Sequence, residues 1–147
     1  MKLIVQRVKK AKVIVKKTGL VSGEIGEGLF VLVGFKKGDT KEQVQTLTEK
    51  LIKLRVMSDA SDKMNLSVTD TKSSVLVVSQ FTLYADTSQG NRPSFVGAEE
   101  PGKAKELYES FTAALKEKGI MVETGSFGDY MDIEASLDGP VTIVLEA

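Results

Sequence analysis

Two segments of this chain carry a helical period; most of the rest alternates or runs apolar in the short bursts typical of strands. Val44, Leu47, Leu51 and Leu54 recur on one helical face. They follow Asp39-Thr40, with Glu42 and Gln43 at capping-box spacing, which predicts an amphipathic helix ending near Arg55. Leu107, Tyr108, Phe111, Ala114 and Leu115 make the second pattern, which begins after Pro101 and is stopped by Gly119. Leu3 with Val5, and Val13 with Val15, alternate with polar residues as two half-buried strands. Leu20 to Glu24 reads as a short strand, and Leu29 to Phe35 and Val75 to Val78 as fully buried ones. Met121 to Glu123, Met131 to Ala135 and Val141 to Leu145 are expected to be the last strands. Gly23, Gly26 and Gly28 read as a turn rather than a phosphate cradle, because their spacing is not that of a dinucleotide fingerprint. Ser58 to Asn65 is a polar loop or hairpin whose Asp59, Asp62 and Asn65 lack the glycine and closing Glu of a calcium loop. With no repeat and no linker, 147 residues make one domain spanning residues 1–147. The expected class is α+β: mixed, largely antiparallel sheets, barrel- or sandwich-like, with two amphipathic helices.

What the chain lacks constrains its chemistry. It has no cysteine, histidine or tryptophan. That excludes a Cys nucleophile, a disulfide, a Cys/His zinc site, an imidazole base and a Ser-His-Asp triad. Any acid–base chemistry is left to carboxylates, lysines, tyrosines, backbone or substrate.

Twenty basic and twenty acidic residues cancel, but unevenly. Residues 1–17 hold Lys2, Arg7, Lys9, Lys10, Lys12, Lys16 and Lys17 and no acid; beyond Lys118 only acids remain, Glu123, Asp129, Asp132, Glu134, Asp138 and Glu146. The basic edge suits phosphates, and suits equally well strands that face water. Arg7, Arg55 and Arg92 are the only arginines, each a candidate for a planar, forked contact that Lys cannot make. Gln6 and Arg7 interrupt the apolar start, and no apolar run approaches the roughly 20 residues of a membrane span, so a cytoplasmic location is expected.

Three segments offer chemistry. Ser79-Gln80-Phe81-Thr82 emerges from a buried strand and clusters hydrogen-bonding groups at its end, where sites commonly form. Its ordinary reading is a continuing strand with polar residues facing water. Gly139-Pro140, before the last strand, reads as a plain turn. A cis bond there would instead aim successive carbonyls together, as an acceptor site for an ammonium group. Phe127, between Gly125-Ser126 and Gly128, either stacks on a nucleobase or packs in the core at a bend.

In combination these segments resemble the D-aminoacyl-tRNA deacylases, D-tyrosyl-tRNA deacylase type. Ser79-Gln80-Phe81-Thr82-Leu83-Tyr84 and Gly139-Pro140-Val141-Thr142 match the two motifs of that family. Supporting segments are Gln6-Arg7-Val8, Gly23-Glu24-Ile25-Gly26, Ser58-Asp59, Lys63-Met64-Asn65, Arg92-Pro93-Ser94-Phe95, Thr124-Gly125 and Phe127-Gly128. Leu137 departs from the pattern, since an Asn often stands two residues before the glycine of the second motif. Asp129, Tyr130, Glu134, Ala135 and Ser136 depart from it as well.

The resemblance implies an editing hydrolase that cleaves the ester between a D-amino acid, or glycine, and the terminal adenosine of tRNA. It implies a homodimer with no metal or cofactor. Ser79, Gln80, Phe81 and Thr82 would form the catalytic end, and Arg7, Phe127, Met131, Gly139 and Pro140 would bind substrate. Gly139-Pro140 would reach into the partner's pocket, braced by Arg7. Aminoacyl esters are already activated, so a chain without histidine can cleave them with donors aimed at the oxyanion and help from the ribose 2′-hydroxyl. Two other readings remain: an RNA-binding module without catalysis, and a Ser/Lys hydrolase of small esters.

Overall fold

The computed structural model describes residues 1–147. Its elements are β1 (Lys2–Val15), β2 (Val21–Ile25), β3 (Gly28–Gly34), α1 (Lys41–Ile52), β4 (Met57–Ser58), β5 (Met64–Leu66), α2 (Val68–Thr71), β6 (Ser74–Ser79), a 3-10 helix (Phe81–Tyr84), α3 (Pro101–Glu117), β7 (Met121–Thr124) and β8 (Met131–Glu146). The main sheet runs β2-β1-β3-β6-β7, with β8 also paired to β1. β3–β6 and β6–β7 are parallel, and every β1 pairing is antiparallel. The class is α+β with a mixed sheet, as expected. The sheet nearly closes: a Cβ on Gly23 of β2 would lie 2.6 Å from the carbonyl oxygen of Thr124 on β7. Gly23 and Gly28 therefore sit inside strands, not in the turn expected of them.

The apolar runs are explained by cores on both faces of β3 and β6. One face carries Leu3, Val5, Val31, Val33, Val75 and Val77 against Val44, Leu47 and Leu51 of α1 and Leu107, Phe111 and Leu115 of α3. The other carries Phe30, Leu76 and Val78 against Val8, Ala11, Val13 and Ile25. A strand buried on both sides has no reason to alternate.

Both helices start as their caps direct. Thr40 caps α1 in a box with Gln43, and Pro101 is the first residue of α3. The polar loop is a hairpin, β4 paired with β5. Helix α2 was not expected, although Ser67 and Asp70 form a capping box at its start.

Four further expectations are corrected. The two N-terminal strands are one, β1, and the last two are one, β8. Both breaks coincide with register shifts between these strands. On β1, Arg7 and Lys9 have no opposite residue; on β8, four residues, Asp138 to Val141, bulge out between Leu137 and Thr142. Gly139-Pro140 is thus the crest of a bulge within a strand, not a turn between two. Nor does β6 continue through Thr82, because the chain leaves the sheet after Ser79 and turns into the 3-10 helix.

The charge asymmetry has a structural counterpart in this pairing. The basic first strand and the acidic last one lie side by side, with Lys2 Nζ 3.6 Å from Glu146 and Lys12 Nζ 3.0 Å from Glu134. No helix is long and apolar enough to cross a membrane.

Candidate active site

The end of β6 is shaped by its neighbour β3. The Gln80 N–H donates to the Val33 carbonyl at 2.7 Å, the last bond before the chain turns. A Cβ at Gly34 would lie 2.9 Å from the Gln80 carbonyl oxygen and 3.0 Å from Leu83 Cβ. The 3-10 helix can therefore lie against β3 only because position 34 has no side chain. Phe81 and Thr82 are exposed, and the Gln80 amide nitrogen donates to Thr82 Oγ1. The N–H groups of Phe81 and Thr82 open the helix, so no carbonyl one turn back inside it can accept from them. No cysteine, histidine or lysine is bonded to Ser79 or Thr82.

Phe127 and Met131 gather at the same end. The Gly125 N–H donates to the Val77 carbonyl at 2.9 Å, and a Cβ on Gly125 would meet Met131 Sδ at 3.0 Å and Val78 at 3.1 Å. Phe127 is half-buried with its ring centroid 5.6 Å from that of Tyr108. Tyr108 donates to the Val77 carbonyl at 2.9 Å, and burial pushes its hydroxyl up to about 12. The ring of Phe127 is thus held by packing at the edge of the core, rather than swinging free between glycines.

The second motif lies elsewhere. Arg7 Nε stands 2.8 Å from Asp138 Oδ2, a charge pairing without hydrogen-bond alignment. Its Nη1 donates to the Val56 carbonyl at 2.9 Å and to Ser58 Oγ at 3.3 Å, and its Nη2 lies 3.6 Å from where a Gly139 Cβ would be. Arg7 therefore clamps the bulge to the β4–β5 hairpin. The Gly139-Pro140 peptide is cis.

Register measures how far apart these halves are. Arg7 is level with Leu29 on β3 and Val75 on β6, four residues short of Ser79. Four residues along the strands, about 13 Å, and three strands across, about 14 Å, put the bulge about 20 Å from Ser79 measured along the sheet. Phe127 and Met131 lie near the end of β6 that carries Ser79, Phe127 packed on the α3-side core and Met131 on the opposite one; Arg7, Gly139 and Pro140 form a separate group. Two surface depressions, one beside Lys10 and Glu134 and one beside Lys72 and Ile120, include none of these residues. No group of acidic side chains is arranged to hold a metal ion.

Sequence reasoning missed the partner of Phe81. The Phe81 and Phe95 rings meet edge to face, centroids 5.1 Å apart at 70°. Phe95 was visible only as part of a matching segment, because nothing local in the sequence brings it to Phe81.

The model of the D-Tyr-tRNA(Tyr) deacylase family matches residues 4–146. The chain belongs to that family. It is 50% identical over 147 residues to the D-aminoacyl-tRNA deacylase of Aquifex aeolicus, covering all of this chain and 98% of that relative. It is 51% identical over 146 residues to that of Deinococcus radiodurans, covering 99% of each. Among solved structures, one titled c-Myc DNA Unwinding Element Binding Protein superposes with a TM-score of 0.93 at 39% identity, covering 100% of this chain and 99% of that one. A probable eukaryotic D-amino acid tRNA deacylase, at 15% identity with a TM-score of 0.85 and 98% and 97% coverage, shares the fold.

Proposed function

We propose that the chain is a D-aminoacyl-tRNA deacylase, a hydrolase of the ester linking a D-amino acid to tRNA, and that it works as a homodimer with composite sites. The gap of about 20 Å between the bulge and the strand end carries the second part. Two motif-bearing regions of one site that lie three strands apart along the sheet of one chain can be brought together across a two-fold axis. In this reading Gly139-Pro140 of one subunit enters the partner's site beside Ser79, Gln80, Phe81 and Thr82. The openness of the strand end in the single chain supports it.

The division of labour follows from elementary chemistry. Exchanging hydrogen and side chain at an α-carbon alters no charge, so chirality is rejected by excluded volume. Main chain is a firmer wall than a side chain, because it has no rotamers to change. The Gly139-Pro140 backbone occupies the space an L side chain needs, and its carbonyls accept from the α-amino group. Glycine has nothing to exclude, so glycyl-tRNA is also a substrate. The N–H groups of Phe81 and Thr82 donate to the developing oxyanion, and Thr82 positions rather than attacks. The terminal ribose 2′-hydroxyl assists the attacking water. Phe127 and Met131 border the terminal adenosine. The site requires no metal or cofactor.

Mixing two inactive variants tests the composite site. Gly139→Val places a branched side chain on the bulge, at φ +121°, where Val141 already crowds a Cβ at 2.9 Å. Gln80→Ala combined with Phe81→Pro disables the strand end and removes the Phe81 N–H. Co-refolded together, they regain deacylation of D-aminoacyl-tRNA through one intact site per heterodimer. Recovery that never exceeds the separate variants would sink the shared site. Unchanged turnover of a 2′-deoxy terminal substrate would remove the ribose from the mechanism. A protein that leaves the spontaneous decay of D-aminoacyl-tRNA unaltered would be an RNA-binding module instead.

A further inference from the structure

Beyond the terminal adenosine, a tRNA brings unpaired nucleotides that any site acting on its 3′ end must accommodate. Resting on the tRNA reading above, we propose that Phe95, Phe81 and Arg92 form the seat for those nucleotides: a base stacks on the aromatic pair and Arg92 takes an adjoining phosphate.

In the single chain Phe81 and Phe95 are respectively 56% and 38% exposed, and a bulge that enters beside the Phe81 backbone need not cover the Phe95 ring. In an edge-to-face pair, the ring that offers its edge keeps both faces clear of the other, and a clear aromatic face is a stacking surface for any base. The pair is also preorganised. Asp86 and Ser94 exchange two backbone hydrogen bonds, both 2.8 Å, which close the loop carrying Arg92. On the other side of Phe95, the Ala98 N–H donates to the Phe95 carbonyl at 3.0 Å and the Lys37 N–H to that of Gly97 at 3.0 Å. Phe95 is thus held by backbone at both flanks, without help from its own ring.

Arg92 is the arginine without a task inside the chain. Arg7 is committed to Asp138, Val56 and Ser58, and Arg55 to Asn65. Arg92 is exposed and makes neither a hydrogen bond nor an ion pair. The acid of its loop, Asp86, accepts from the Ser88 N–H at 2.9 Å and forms no ion pair with Arg92. An exposed aromatic pair with an uncommitted arginine three residues upstream, in the loop closed next to Phe95, combines the two elements by which proteins hold single-stranded RNA, stacking and phosphate contact. Phe81 immediately precedes Thr82, so an occupant of the pair adjoins the ester.

The test compares D-aminoacyl-tRNA with D-aminoacyl-adenosine, which ends where these nucleotides begin. Phe95→Leu is expected to raise KM on the charged tRNA about tenfold or more beyond its effect on the adenosine ester. Phe95→Tyr, which keeps the ring, restores it. Arg92→Gln, exposed and incapable of disturbing the fold, is expected to flatten the salt dependence of log(1/KM) on charged tRNA by a slope of about 0.7. Equal effects of Phe95→Leu on both substrates, or none on tRNA, would overturn the proposal. So would a fall from dimer to monomer mass with Phe95→Leu, which would assign the Phe95 ring to the subunit interface instead of to RNA. Failure of the unaltered protein to cleave either ester would strike the deacylase reading itself, and this proposal with it.

Discussion

The bulge of β8 and the end of β6 bear the two family motifs, yet they are held in opposite ways. The bulge is tied down within its own chain: Arg7 engages Asp138, the Val56 carbonyl and Ser58. The strand end is joined to β3 through the Gln80 backbone, without a charged side chain, and leaves Phe81 and Thr82 exposed. A wall that rejects by volume must not yield, whereas a surface that receives an ester must stay open. The difference in anchoring matches the roles proposed for the two regions, and it predicts that damage to the clamp costs more than truncation at the strand end.

The largest effect is therefore expected at Arg7. Arg7→Ala removes the fork and frees the bulge, and misplacing a positioned group by about 1 Å can cost about a hundredfold in rate. Deacylation of D-aminoacyl-tRNA should fall by at least that factor. Stability should fall by about 2 kcal/mol, the scale of a hydrogen bond to a charged group. Arg7→Lys should recover little activity, because an ammonium cannot span Asp138 and the hairpin together. Substantial activity in the Ala variant, measured alongside denaturant unfolding, would reverse the ranking of the two regions.

Next comes Gly34, which acts on the strand end from behind. Gly34→Ala drives a methyl group against the Gln80 carbonyl and Leu83 Cβ, so the 3-10 helix must move. Overpacking of this kind costs about 1–3 kcal/mol, and kcat should drop about tenfold as the Phe81 and Thr82 N–H groups shift. Loss of stability with kcat intact would mean that these donors do not face the reacting carbonyl.

How much of this could be read from the sequence varied with the kind of interaction. Helices α1 and α3 announced themselves because period and caps are local. The continuity of β1 and β8 did not, since each supports the other across more than a hundred residues while Lys9 and Gly139-Pro140 break the pattern locally. The 3-10 helix was unreadable because Phe-Thr-Leu-Tyr favours a strand and the bend depends on Gly34, far upstream. Helix α2 was missed although Ser67 and Asp70 carried its cap, a signal that length alone made easy to pass over. Both motifs were legible as motifs; that they lie three strands and four residues apart in one chain required the register.

Thr82→Ala sets the third comparison. If Thr82 only orients Gln80 or water, deacylation should stay within about tenfold of the unaltered protein, the loss of one neutral hydrogen bond. Complete loss, with fold and tRNA affinity retained, would favour an acyl-threonine intermediate over attack by water.

The smallest effect is a titration on the clamped side. Asp59 adjoins Ser58, and its carboxylate accepts from the N–H groups of Ser61 at 2.8 Å and Lys63 at 3.1 Å and from the Asn65 amide at 3.1 Å. The Lys63 and Ser61 N–H groups, in that order, hold it below the usual carboxylate value of 3.8. A depressed folded value means that this stabilisation of the β4–β5 hairpin is complete above 3.8 and fades as pH falls through the lower folded value. Amide chemical shifts of Ser61 and Lys63 should therefore titrate with a midpoint under 3.8, and Asp59→Asn, which keeps an acceptor but no charge, should abolish the titration. A midpoint at or above 3.8 would mean that the hairpin does not hold this carboxylate, and that Arg7 is clamped to a looser support than the bulge requires.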